Sequence, residues 1–415
     1  MKLRILTEYF IAMLFLAYCS SHAQNKCYSE QLLDGSEPLI AMGQDTTGHW
    51  WAVTSPFSRR YSMIIDGKKG IDADSLNQPK FSPMGDRHAY TMLRNGIWSI
   101  HVDDSIITLG AGRPGILTFS RNGVFAYSVI DGQSEMLHIL KDDQTVSHIL
   151  QNRVGDVHLS FDANNWAYVS KNATGFVVLL NEEDIGRYDQ CIIAGFMVDN
   201  AMIHAGKQGE LWRVFKNTEQ LLSAPFLQHA QVNLMGTAFA CSYGMGTRMS
   251  GYLYSPDFVQ PLETSGYDRI DNIVVHPSEA LMGLIASKSG TNYMVMNTAE
   301  YDAGIHIGMI RFTHDGKELY ALGDSQQDPF MIVNGQKFVQ KNSLDIQRPY
   351  AKAPETGTFA YATSSALMMQ RMSDSFTFAG MMADYVSSPI FNHRLDAYQS
   401  LGIVNNRLFM MSCKP

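Results

Sequence analysis

Apolar and polar residues alternate in short runs along most of this chain, and turn residues separate the runs. Arg87 to Met92 and Ile97 to Val102 are two such runs, with Arg94-Asn95-Gly96 between them. Successive side chains of a strand point to opposite faces, so a period of two predicts strands. Asn-Gly is a favoured hairpin pair, which predicts that the two runs are antiparallel neighbours. Pro79 to Ser82 predicts a strand before them, closed by the turn Pro83-Met84-Gly85-Asp86. Asp103-Asp104-Ser105 predicts a turn into a fourth strand, Ile106 to Leu109. Four antiparallel strands in about forty residues make one propeller blade. No stretch longer than about ten residues keeps a 3.6-residue period with caps, so no substantial helix is expected.

The same phrase returns along the chain. Phe81-Ser-Pro-Met-Gly-Asp-Arg-His-Ala-Tyr90 is one copy. Phe119-Ser-Arg-Asn-Gly-Val-Phe-Ala-Tyr127, Phe161-Asp-Ala-Asn-Asn-Trp-Ala-Tyr168 and Phe312-Thr-His-Asp-Gly-Lys-Glu-Leu-Tyr320 are others. Second strands are marked by Trp51-Ala52, Ala89-Tyr90, Ala126-Tyr127, Ala167-Tyr168, Met202-Ile203, Phe239-Ala240, Leu284-Ile285, Leu319-Tyr320 and Ala360-Tyr361, spaced 35 to 45 residues apart. A fixed period of this size marks a repeat architecture. The expected fold is therefore all-β: a single β-propeller of four-stranded antiparallel blades, about eight, with seven to nine allowed. Eight units are readable from Glu37 to about Asn342. The last 70 residues or so hold either one more blade or strands that close the ring with the N-terminal segment.

The first residues read differently. Lys2 and Arg4, the apolar run Ile11 to Cys19, and Ser21-His22-Ala23 have the layout of a secretory signal. The expected division is a signal peptide at 1–23 and a propeller domain at 24–415. The apolar run is too short to span a bilayer. A lipid anchor at Cys19 is not expected, because Tyr18 stands where a lipoprotein box needs a small residue. Without the leader, 30 basic and 39 acidic residues leave a net charge near −9, which argues against nucleic acid or an anionic membrane as partner. Apolar residues at 45% and charged ones at 17% fit a packed, strand-rich chain. Four cysteines remain: Cys27, Cys191, Cys241 and Cys413. The ends of a closed ring meet, which makes a Cys27–Cys413 disulfide geometrically attractive; two unpaired thiols are the alternative.

The repeating units resemble the TolB-type, WD40-like propeller repeat of exported bacterial proteins. The clearest copies are Phe81 to Tyr90, Phe312 to Tyr320, Tyr61 to Gly67 and Phe330 to Gly335. Met84 and Asn122 replace the usual aspartate, and the units between Cys191 and Pro261 barely keep the phrase. The resemblance implies a periplasmic or surface interaction platform and lends no catalytic residue.

Candidate chemistry is sparse. Gly110-Ala-Gly112-Arg-Pro-Gly115 matches a dinucleotide-binding string, but a strand follows it where a helix is required, so an inter-blade loop is the reading. His88, His101, His138, His204 and His276 fall on or beside strands without metal-ligand spacing. Met368-Met369, Met381-Met382 and Met410-Met411 read as core fillers, not copper ligands. Asp72, Asp74, Asp103, Asp104, Asp142, Asp143, Glu182, Glu183 and Asp184 sit at turns. No serine-nucleophile elbow and no phosphate-binding loop occur. No catalytic, cofactor or metal residues are assigned. The expected function is a non-enzymatic, exported scaffold for a protein, peptide or envelope glycan, acting as a monomer or within an envelope complex. The alternative is a carbohydrate hydrolase or lyase with its site in the channel mouth. A flat or plugged apolar face favours the first; a funnel of converging carboxylates favours the second.

Overall fold

The computed structural model describes residues 27–45, 47–141, 144–304, 306–313, 315–325, 328–340, 350–373 and 375–415. The leader at 1–23, Cys19 and the Asp142-Asp143 turn lie outside the described residues. Within the described residues the chain forms 43 strands and no helix. The strands fall into nine sheets, one of which joins a four-strand unit and a five-strand unit through a single parallel pair, Gly304 with Asp324. Consecutive blades occupy residues 39–69, 75–108, 113–150, 153–188, 190–224, 226–267, 269–304 and 306–339. These are the eight units legible between Glu37 and Asn342. The remaining stretch supplies both of the things the sequence left as alternatives. Residues 350–379 form a further four-stranded unit, and 385–413 pair with the N-terminal strand Cys27–Leu33 to close the ring.

Closure is visible in the packing. Each junction between consecutive blades holds its own apolar cluster. The closing unit packs on the 350–379 blade through Met369, Tyr398 and Met411, and on the first blade through Trp50, Leu401 and Leu408. All nine expected second-strand pairs lie on second strands. Alanine dominates these pairs because the second strand is sandwiched between neighbouring blades; Ala52, Ala89, Ala126, Ala167, Ala240 and Ala360 are fully buried. A tenth copy, Ala397-Tyr398, lies on Ala397–Val404 in the closing blade, 37 residues after Ala360. Tyr61, Trp212, Tyr293 and Phe330, near the start of third strands, sit in inter-blade clusters.

Two hydrogen-bonded devices explain the recurring phrase. The first closes the turn between the third and fourth strands. Asp66, Asp103, Asn181, Asn217, Asn297 and Asn334 all take positive φ, between 46° and 54°. Each side-chain oxygen accepts the first N–H of the second strand at 2.8–3.0 Å. Each backbone N–H donates to the carbonyl of that same residue. Asn and Asp tolerate this left-handed conformation better than other side-chain-bearing residues, which is why the repeat uses them.

The second device closes the loop after the inner strand. Ser82, Ser120, Ser160 and Thr313 accept a backbone N–H from four or five residues on. Their carbonyls accept from Gly85, Gly123, Ala163 and Gly316, all with positive φ. This device corrects the register of the third copy. Ser160 is the equivalent of Ser82, so Leu159 stands where Phe81 stands, and Phe161 occupies the position of Pro83.

Candidate binding face and channel cavity

Every loop that follows an inner strand emerges on the same face of the ring, and there the loops reach across the channel mouth. Arg121, in the third blade, fills the position held by Pro83 in the second. Its guanidinium donates to the Phe196 carbonyl at 3.0 Å and the Asn233 carbonyl at 2.7 Å, tying three blades together. Burial pushes its pKa down to about 10. Gly236 makes room for it: a Cβ there would lie 2.2 Å from Nη1. Met235 N–H donates to the Pro277 carbonyl, and the Asn233 amide donates to the His276 carbonyl, so neighbouring loops are locked as well.

Between these loops lies a groove of about 310 Å³ lined by Thr47, Pro83, Met84, Leu234, Met235, Pro277, Ser278, His393 and Arg394. Met84, Leu234 and Met235 are 57%, 41% and 37% exposed, which is unusual for three large apolar residues at one groove. Beneath it, a cavity of about 480 Å³ lies against the inner strands of the last five blades and shares Pro277 and His393 with the groove. Gln231, Val274, Arg311, Ala351 and Ile390 line it from equivalent positions, one residue before the residue that matches Phe81. Alternation along each inner strand sends that residue to the channel and its neighbour to the blade packing. Phe312, Tyr320 and Phe391 add aromatic wall, and Thr313, Lys352 and His393 complete the polar groups. No Asp or Glu is among the described lining residues.

The two cations at the cavity are not equivalent. Lys352 has a fully buried side chain, and its ammonium donates to Glu318 at 2.6 Å and to the Ala353 and Thr356 carbonyls at 3.1 and 3.0 Å. Its charge is matched and its three donors are used. Arg311 donates only to the Tyr350 carbonyl, at 3.4 Å, and no carboxylate of the described residues lies within ion-pair distance.

Several of the residues singled out from sequence have structural partners. Asp72 accepts from the Ser62 hydroxyl, and Asp74 from Arg60 and the Asn95 N–H. Asp103 pairs with Arg87, Glu182 with His148, and Asp184 with Arg187. His101 and His204 bond to Tyr90 and Tyr188, each at 3.1 Å, and His138 to Ser147 at 2.8 Å. Burial pushes the His204 pKa down to about 4. His276 accepts the Ser278 and Glu279 N–H groups through Nδ1. Met369, Met410 and Met411 are buried between blades, whereas Met382 is exposed. Gly110 to Gly115 forms an inter-blade loop entering the strand Arg113–Phe119. No group of three or more His, Cys, Asp or Glu side chains among the described residues could hold a metal. Cys27 and Cys413 face each other across the closing strand pair and are joined as a disulfide. Arg121 and Arg311 are not among the residues the sequence singles out, although Arg121 breaks a copy of the phrase and Arg311 flanks one.

No family model matches the chain, and no curated protein matches it. Among solved structures the chain is similar to one described as the eukaryotic initiation factor, at 11% identity and a TM-score of 0.43, over 72% of this chain and 88% of that one. It is also similar to the Dos1 propeller, at 9% identity and 0.39, over 82% and 93%. A third is Hsv2 of Kluyvelomyces marxianus, at 9% and 0.32, over 71% and 96%. The propeller architecture rests on the strand pairing described above, not on these likenesses.

Proposed function

We propose that this protein is an exported, non-enzymatic propeller that binds a protein partner on the face carrying the inner-strand loops. The observation that carries this reading is the groove there, with Met84, Leu234 and Met235 exposed and the Leu234-Met235 loop pinned by Arg121 and Asn233. Rigid loops lose little entropy on docking, and apolar anchors in a groove supply affinity. The signal-like leader and the disulfide between Cys27 and Cys413 support an exported setting. The resemblance to TolB-type repeats supports a role in the cell envelope, where a peptide or glycan would be a second kind of ligand. The carbohydrate hydrolase or lyase reading needs acid groups at the channel, and the described lining supplies none.

The test is cross-linking capture from the source's exported fraction, with the wild-type protein beside a Met84→Asp/Met235→Asp variant. A specific partner recovered by the wild type and lost by at least about tenfold with the variant, at unchanged melting temperature, is the expected result. Equal recovery by both proteins, or recovery of nothing by the wild type, overturns the reading.

A further inference from the structure

We infer that the channel cavity is a binding site for a small organic monoanion, a carboxylate carried on an apolar or aromatic body. The inference stands apart from the docking face and does not depend on it. Its basis is a mismatch of charge and lining. Arg311 brings five N–H donors to a cavity in which one of them meets a carbonyl, at 3.4 Å, and none meets a described carboxylate. Arg311 is partly buried, and a partly desolvated cation beside an aromatic wall gains from an anion that meets it. The guanidinium fork matches a carboxylate in a bidentate geometry. A monoanion is indicated because Glu318 already neutralises Lys352, leaving one uncompensated positive charge from the arginine and lysine at the cavity. Phe312, Tyr320, Phe391 and Ile390 offer the ligand's body an apolar wall. A volume of about 480 Å³ falls within the range of small-molecule sites, roughly 300–1,000 Å³.

The experiment is isothermal titration of the chain from Gln24 onward with 3-phenylpropanoate, with 3-phenylpropanamide as the uncharged twin and inorganic phosphate as the anion without a body. Two variants accompany it. Arg311→Gln removes the charge, and Ile390→Trp fills the cavity while keeping the charge. Binding of the carboxylate is expected to exceed that of the amide and of phosphate by about tenfold or more, the contribution of a charge-assisted hydrogen bond. Both variants are expected to lose it by a similar factor while circular dichroism stays that of the wild type. If Arg311→Gln does not fold, Ile390→Trp carries the test. Equal binding of carboxylate and amide, undiminished binding by a folded Arg311→Gln or Ile390→Trp variant, or no saturable carboxylate binding below about 10 mM overturns the inference.

Discussion

At the scale of single residues, three polar groups each hold a partner within one blade or across one junction. Asn217 is one: its side chain holds the Met202 N–H at 2.9 Å while its own φ is 51°. Asn217→Ala is expected to lose the hydrogen bond and force alanine into the left-handed region, about 2 kcal/mol in urea unfolding. Asn217→Gly is expected to lose less, because glycine accepts that φ without strain; an equal loss for both would show that the backbone term is absent. Glu318 and Lys352 make a second case. Glu318→Gln leaves a buried ammonium uncompensated, at a cost of about 3–5 kcal/mol, and adding Lys352→Met is expected to recover part of that loss. His204 is a third. The residue is 1% exposed, its ring hydrogen-bonds the Tyr188 hydroxyl, and burial lowers its pKa to about 4. The unfolded chain therefore binds a proton at this ring before the folded one does. Stability is expected to hold above the ordinary histidine value of about 6.5 and to fall as pH drops from there toward 4, by on the order of 3 kcal/mol. Melting temperatures across that window should show a shallower acid slope for His204→Gln; an unchanged slope would place the titration elsewhere.

At the scale of elements, the blade is a sandwiched unit, and its tolerance for size is set by its second strand. Ala126 is fully buried in the cluster between the third and fourth blades, with Leu137 and Trp166. Ala126→Leu is expected to overpack that junction and cost about 1–3 kcal/mol by chemical denaturation, whereas a leucine at exposed Met136 is expected to change little. Much of this was readable beforehand. Ala-Tyr pairs, Asn-Gly hairpins and Asp or Asn turns are local signals, and they place second and third strands correctly because tight turns and period-two alternation act over a few residues. The Phe161 copy lies two positions out of register because an aromatic is a weaker marker than the serine whose hydroxyl closes the loop. The closing blade is not legible along the chain because its strand Cys27–Leu33 comes from the other end, and no local pattern reports a pairing over that separation.

At the scale of the whole molecule, one covalent link and one strand pair hold the ring shut. Cys27 and Cys413 are 386 residues apart, so the disulfide restrains nearly the entire unfolded chain, worth on the order of 5 kcal/mol by chain entropy. Thiol titration of the unreduced chain from Gln24 onward is expected to find two thiols after denaturation, from Cys191 and buried Cys241, and four after reduction. Four thiols before reduction would mean an open clasp. Cys27→Ser is expected to lower the melting temperature without changing the far-ultraviolet spectrum, since Trp50, Leu401 and Leu408 still pack the junction.

What the sequence determined by itself was the blade: its strands, its turns and the residue types that close them, because these depend on interactions within about forty residues. What only the tertiary structure decided was which loops meet over the channel and which cation is left without an acid. Arg121, Arg311, Met84 and Met235 stand in different blades, and nothing along the chain relates them. Ring closure brings Arg121, Met84 and Met235 to one face and Arg311 to the channel, and it is on that convergence, not on the repeat, that the proposed binding rests.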